Sequence, residues 1–248
     1  MEVCGVGGAM NAPSPSIIES IDSHVDVPVE KDEAVEKAVK QCIKASNDAD
    51  ASYRYYSGDD MYTLFFKPLD VPVLSPDKIN LSLQHLLRVP HMLSVDVSTY
   101  ISVLMQKSYD LGNNGFVLHT QNIPLDSLCA YVKGSKKMPL SMAVYGDTGH
   151  FMGHASEWCS VKHEGNAQDH YFDDAEHAEI SSSGTVGECP FQFVQDIMFK
   201  TTNQETFNHI KTKMQSYPKM RGRNLSLVDP AGKTLDSWDD SAYKRALR

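Results

Sequence analysis

The stretch Leu140-Ser-Met-Ala-Val-Tyr145, followed at once by Gly146-Asp147-Thr148-Gly149-His150, decides how the fold is read. A short apolar run closed by turn residues is the pattern of a buried strand. Working outward from it, two kinds of element alternate. Upstream, Phe116 to Thr120 reads as a strand after the turn residues Gly112-Asn-Asn-Gly115, and Tyr62 to Phe66 as another before Lys67-Pro68. Between and before them lie helical periodicities. Ala34, Val35, Ala38, Val39, Cys42 and Ile43 share one face of a first helix, with Glu33/Lys37 and Glu36/Lys40 pairs on it. Ile79, Leu83, Leu86 and Leu87 mark a helix over 78–88. Val97, Tyr100, Ile101, Val103 and Leu104 mark another over 96–108, the two interrupted near Pro90. Residues 124–132 suit a short helix opened by Pro124.

Downstream, the reading predicts a hairpin of Phe151–Trp158 with Tyr171-Phe172 across the polar loop 160–169. A long helix over Pro190–Met214, a basic segment with Pro and Gly, and a final helix from Trp238 complete it. No internal repeat is read. The expected fold class is therefore α/β (α+β), a mixed sheet flanked by helices in a single domain over 29–248. Residues 1–28, dense in Gly, Pro and Ser, are expected to be a disordered leader.

Composition narrows the function classes. The chain has 248 residues, 41% apolar and 22% charged, which is ample for a sizeable core. A net charge of -9 argues against a surface built to grip nucleic acid, which needs clustered Lys and Arg. The five cysteines are odd in number and widely spaced, so free thiols in a reducing, cytoplasmic setting are expected. No apolar run approaches the roughly 20 residues of a membrane span, and no basic-then-apolar secretory signal opens the chain. The polar, Ser-rich leader also suits export into a host cytosol by a specialised system.

The chemistry concentrates in one stretch. Five of the ten histidines (His150, His154, His163, His170, His177) fall between positions 150 and 189 with Cys159, Cys189, Asp173, Asp174, Glu176 and Glu179. Groups that titrate near neutrality are what a site needs. Cys189 precedes Pro190 and an apolar-patterned segment, so a helix start there would raise its thiolate character and offer N–H groups to an oxyanion. His150 would act as general base, with Asp173 orienting it.

The pieces MPLSMAVYGDTGHF ending at His150-Phe151, YFDD around Asp173, and SSSGTVGECPF around Cys189 resemble cysteine proteases of the ubiquitin-like-protease clan. They also resemble the YopJ-type effector acetyltransferases related to those proteases. The resemblance covers roughly a fifth of the chain by order and local texture. It implies a cysteine-protease-like fold and a thiol enzyme acting on a protein substrate, by peptide or isopeptide hydrolysis or by acyl transfer, with Cys189, His150 and Asp173 as the catalytic set. Cys129 is an alternative nucleophile with the same His150 and Asp173.

Three further readings stand beside it. The chain could be a non-catalytic effector or inhibitor that binds a partner protein through its acid-rich 169–179 stretch and exposed aromatics. The 150–177 histidines could hold zinc, although HFMGH lacks the HExxH glutamate, so no metal ligand is assigned. Lys211, Lys213, Arg221 and Arg223 form a basic patch suited to an acyl-coenzyme A or another phosphate-bearing ligand.

Overall fold

Apolar spacing at helical period accounts for the first elements of the structure, a computed structural model that describes residues 32–48, 69–216 and 221–239. Helices α1 (Glu33–Asp48), α2 (Pro76–Leu86) and α3 (Ser94–Tyr109) follow the expected segments closely. Asp32 caps α1 by accepting the N–H groups of Ala34 and Val35, and Glu33 and Glu36 stand in the first turn, where the helix dipole favours negative charge. Pro76 opens α2. Helix α3 is buried nearly all round, Ser, Thr and Tyr positions included.

The sheet that follows is built from strands β1 (Gly115–His119), β2 (Leu140–Tyr145), β3 (Cys159–Glu164), β4 (Glu179–Ser182), β5 (Gln195–Thr201), β6 (Arg221–Val228) and β7 (Thr234–Asp239). They pair in sequence order, β1 to β6 parallel and β7 antiparallel on β6. The fold class is thus α/β (α+β): the described residues form a seven-stranded mixed sheet and four helices in one compact unit.

The register corrects the expectation of no repeat. Ser141 lies opposite Ser160, Ser160 opposite Glu179 and Glu179 opposite Met198, so each step to the next strand advances the chain by 19 residues. Beyond the strands the same step recurs: Thr148 pairs with Ala167 and Ala167 with Val186, while Glu157 pairs with Glu176 and Glu176 with Gln195. Residues 140–196 are therefore three stacked coils of a parallel solenoid. The segment 115–139 makes a longer first coil, in which Gly115 faces Ser141 and Lys133 faces Glu157.

Four other expectations change with it. Residues 124–132 are turns, with left-handed Ser127, Cys129 and Tyr131, not a helix. Phe151–Trp158 is the turn side of a coil, and 160–164, read as the start of a loop, belongs to the strand β3, parallel to β2, so there is no hairpin. Residues 190–214 split into β5 and helix α4 (Gln204–Ser216). Trp238 lies in β7, not at a helix start. The expected strand 62–66 and the leader 1–28 lie outside the described residues.

Stacking the coils imposes its own sequence rules. A Cβ at Gly165 would stand 2.1 Å from the Gly146 carbonyl oxygen, and one at Gly184 1.9 Å from that of Gly165, so this column admits only glycine. Beside it, Asp147 accepts both the backbone and the side-chain N–H of Asn166, whose own oxygen accepts from Thr185. Inside, Met142, Val161, Ile180 and Phe199 stack in register. The neighbouring inner column, Val144, His163, Ser182 and Thr201, turns polar.

Helices flank the coils at the first strand and at the last coil. Asn80 and Gln84 of α2 satisfy the backbone of His119 on the edge strand β1, and Ser94 and Gln106 of α3 bond to Asp126 and Lys133 of the first coil. Helix α4 covers the last coil, Thr206 and His209 reaching the carbonyls of Gly184 and Gly187. The cover on β1 prevents edge-to-edge pairing at that strand.

Candidate functional site: the turn edge of the coils

The titratable stretch singled out in the sequence becomes one edge of the solenoid, formed by the turns 150–158, 169–177 and 188–196. Its residues fall into columns because equivalent positions recur at the 19-residue step. Phe151, His170 and Cys189 form one column, all three left-handed at φ 59, 60 and 56°. Trp158, His177 and Asp196 form another, with φ of 49, 53 and 53°. Left-handed side-chain-bearing residues cost energy individually. The buried rings of Tyr171, Phe172 and Phe191, packed edge to face beneath the turns, offset it.

In these columns, ring lies on ring. Phe151 and His170 stack at 4.6 Å with their planes 7° apart, and Trp158 and His177 at 4.0 Å and 20°. His154 meets Phe151 and Tyr131 edge-on at 5.7 and 5.4 Å. Each of three histidines faces an aspartate: His150 Nδ1 is 3.8 Å from Asp169 Oδ2, His170 Nδ1 is 3.3 Å from Asp173 Oδ2, and His177 Nδ1 is 3.2 Å from Asp196 Oδ2. Phe193 projects from the last turn, 70% exposed, and Phe151 is 39% exposed. Asp174, Glu176 and Asp196 are exposed beside them.

The expected catalytic residues are distributed over this edge. Cys189 is only 8% exposed and sits in a turn; the residues after it are turn, then strand, so the helix start that was to activate the thiol is not formed. The register separates His150 from Cys189 by one intervening coil, roughly 10 Å at the usual strand spacing. The histidine beside Cys189 is His170, and it is also the one that faces Asp173. The flanking pairs Ala167/Val186 and Glu176/Gln195 and the hydrogen bond from His170 N to Glu188 O fix that register. Cys129 is fully buried in a turn, and burial pushes its thiol up, out of reach of thiolate chemistry near neutral pH. Cys159 behaves alike, raised to about 11.

His163 points the other way, into the core. Its Nε2–H donates to Gly146 O at 3.2 Å and its Nδ1 accepts from the Tyr171 hydroxyl at 3.3 Å, while burial pushes its pKa down, favouring the neutral ring. Among the described residues no group of three or more His, Cys, Asp or Glu could hold a metal ion.

Three of the four residues of the expected phosphate patch are engaged within the protein. Lys211 lies 3.8 Å from Asp236, Lys213 pairs with Glu188, and Arg223 is buried with its guanidinium 5.7 Å from the Trp238 ring. Carboxylates and an aromatic face compete for these cations, so they do not form an open anion site; Arg221 lies on the same strand, β6, as Arg223.

Sequence reasoning missed the columns that make this edge. Gly146, Gly165 and Gly184, each followed by Asp147, Asn166 or Thr185, stand 19 apart and carry the repeat in plain sight. No helix among the described residues is long and apolar enough to cross a membrane. Compared with known proteins, the chain matches no family model, no curated protein and no solved structure.

Proposed function

We propose that this domain is a non-catalytic protein-binding module whose turn edge receives a Lys/Arg-bearing segment of a partner protein. The observation that carries the reading is the grouping of exposed and half-exposed rings, Phe151, Trp158, Phe193 and Tyr131, among the carboxylates of Asp169, Asp174, Glu176 and Asp196. Aromatic anchors framed by polar groups supply most of the energy at protein interfaces, and an acidic rim selects a basic partner and speeds its encounter. Buried free cysteines suit a reducing compartment, the cytoplasm or a host cytosol.

The test is fluorescence anisotropy with a labelled peptide of arginines and one tryptophan, against a charge-reversed glutamate peptide. The basic peptide binds and the acidic one does not. Phe193→Ala weakens binding about tenfold or more, while Cys189→Ser leaves it unchanged. Equal binding of both peptides, or indifference to Phe193→Ala, removes the edge as the site.

A second reading, thiol chemistry on a protein substrate, draws on the register that sets Cys189 beside His170, itself facing Asp173. Iodoacetamide labelling near pH 6 would be fast at Cys189 and abolished by His170→Ala. A Cys189 that labels only on unfolding ends that reading.

A further inference from the structure

We infer that the outer side of β7 is a strand-docking edge, which takes an extended segment of a partner protein carrying Lys or Arg beside an aliphatic residue. It is a different surface from the turn edge, and the inference does not rest on the binding reading above. The two outer strands of the sheet differ. Asn80 and Gln84 of α2 bond to the backbone of β1 at His119. Among the described residues β7 is the last strand of the sheet, and it pairs with β6.

The backbone of β7 prepares it for a further strand. Its register with β6 shifts once, between Val228, opposite Thr234, and Leu227, opposite Asp236. Leu235 is therefore the extra residue of a bulge, and Asp236–Asp239 pair in unbroken register. Edges are commonly blunted with Lys or Pro, and β7 carries neither. The amide of Ser237 is the most direct sign. Its N–H donates to Oδ1 of Asp236, the residue before it, at 2.7 Å. An amide answered by its neighbour's side chain is one that the β6 ladder does not use, so the carboxylate oxygen stands where the carbonyl of a further strand would dock. Outward backbone groups recur at every second residue of an antiparallel strand, which gives Asp239 the same direction as Ser237.

Charge selects what pairs there. The strand reads TLDSWD, with two carboxylates and no basic residue. Lys211 of α4 stands 3.8 Å from Asp236, and the two side chains remain 35 and 52% exposed. A second copy of the chain would lay an acidic strand on an acidic strand, in a molecule of net charge -9, and like charges facing one another destabilise a pair. A strand with Lys or Arg opposite Asp236 gains an opposite-charge pair instead, across the roughly 5 Å that separates facing residues. On docking, the Ser237 N–H passes from Asp236 to a carbonyl of the incoming strand, and the released carboxylate meets the partner's cation. Leu235, 61% exposed, offers an aliphatic contact beside it. Main-chain bonds supply the affinity in this mode and side-chain contacts the selectivity.

The probe is a fluorescein-labelled peptide of alternating valine and arginine, titrated with the full chain. Beside it runs the same peptide N-methylated at alternate residues, which keeps the charges and cannot complete a ladder. The unmodified peptide binds about tenfold or more tightly than the methylated one. Ser237→Pro removes an outward amide at an edge position that proline tolerates, and abolishes the difference. Phe193→Ala, on the turn edge, leaves it unchanged. If Ser237→Pro does not fold, amide exchange of the wild type reads the same contact: Ser237 and Asp239 exchange faster than Trp238 in the free chain and slow when the peptide is added. Equal binding of the two peptides, or of the folded Ser237→Pro and the wild type, overturns the docking edge. So does protection of Ser237 and Asp239 in the free chain equal to that of Trp238, which shows an edge already filled. A dimer in sedimentation that Ser237→Pro dissolves gives the edge to a second copy and overturns the basic partner. Binding lost in Phe193→Ala and kept in Ser237→Pro moves the peptide to the turn edge, overturning this inference and supporting the earlier reading.

Discussion

The helices at the start of the described chain and the coils that follow them bury comparable apolar side chains by different rules. In α1 and α2 the buried positions, Val35, Ala38 and Cys42 or Ile79, Leu83 and Leu86, recur at three and four residues, so one turn of chain already shows the pattern. In the coils, Met142 packs under Val161 and Val161 under Ile180, contacts made at a sequence distance of 19. A helix is thus specified one turn at a time, whereas a coil is specified by what its neighbours tolerate.

The glycine column carries the largest expected effect. Gly165→Ala forces a methyl group against the Gly146 carbonyl and is expected to cost about 3 kcal/mol, read by urea unfolding. Amide exchange should quicken in the coils on both sides of it. A change confined to the mutated turn would mean that the coils do not share one register.

Acid is the next lever. His163 is neutral in the core with its folded pKa lowered below the ordinary 6.5, so its burial favours folding above that value. The unfolded chain binds the extra proton first, and stability is lost as pH falls below about 6.5. His163→Gln is expected to flatten the fall of Tm between about pH 7 and 5. A Tm that drops as steeply in the variant assigns the acid limb to other groups.

Smaller effects sharpen the contrast. Asn166→Ala removes a clamp between three successive coils and is expected to lower stability by about 1 kcal/mol. Ala45→Gly in α1 should cost a similar amount, about 1 kcal/mol, chiefly by helix propensity, with the methyl that packs against the core also lost. The two differ in reach: native-state exchange should loosen along the coils for the first and only within α1 for the second.

Much of the helical part was legible because its signal is local. The bounds of α1, α2 and α3 fall within about two residues of the periodic segments, and β1 and β2 are where apolar runs end in turn residues. The coils misled for physical reasons. Pro190 with Phe191, Phe193 and Val194 looked like a helix start, yet Phe191 and Phe193 adopt left-handed turn conformations that no single-chain propensity favours. Cys129 looked helical for the same reason. At the candidate site the crowding of histidines and acids was visible, and Asp173 does face a histidine, but His170 rather than His150.

By itself, the sequence determined the amphipathic helices, the strands beside Gly-rich turns, the mixed α/β class and the place where titratable side chains concentrate, because each depends on residues a few positions apart. Only the tertiary structure decided which histidine meets which aspartate, that Cys189 sits nearly buried in a turn, and that Phe151 and Trp158 lie on imidazole rings. Apart from His170–Asp173 within one turn, those contacts join residues 19 apart, and they exist because stacked strands fix a register that glycine-only columns and inward aromatic rings can satisfy in one way.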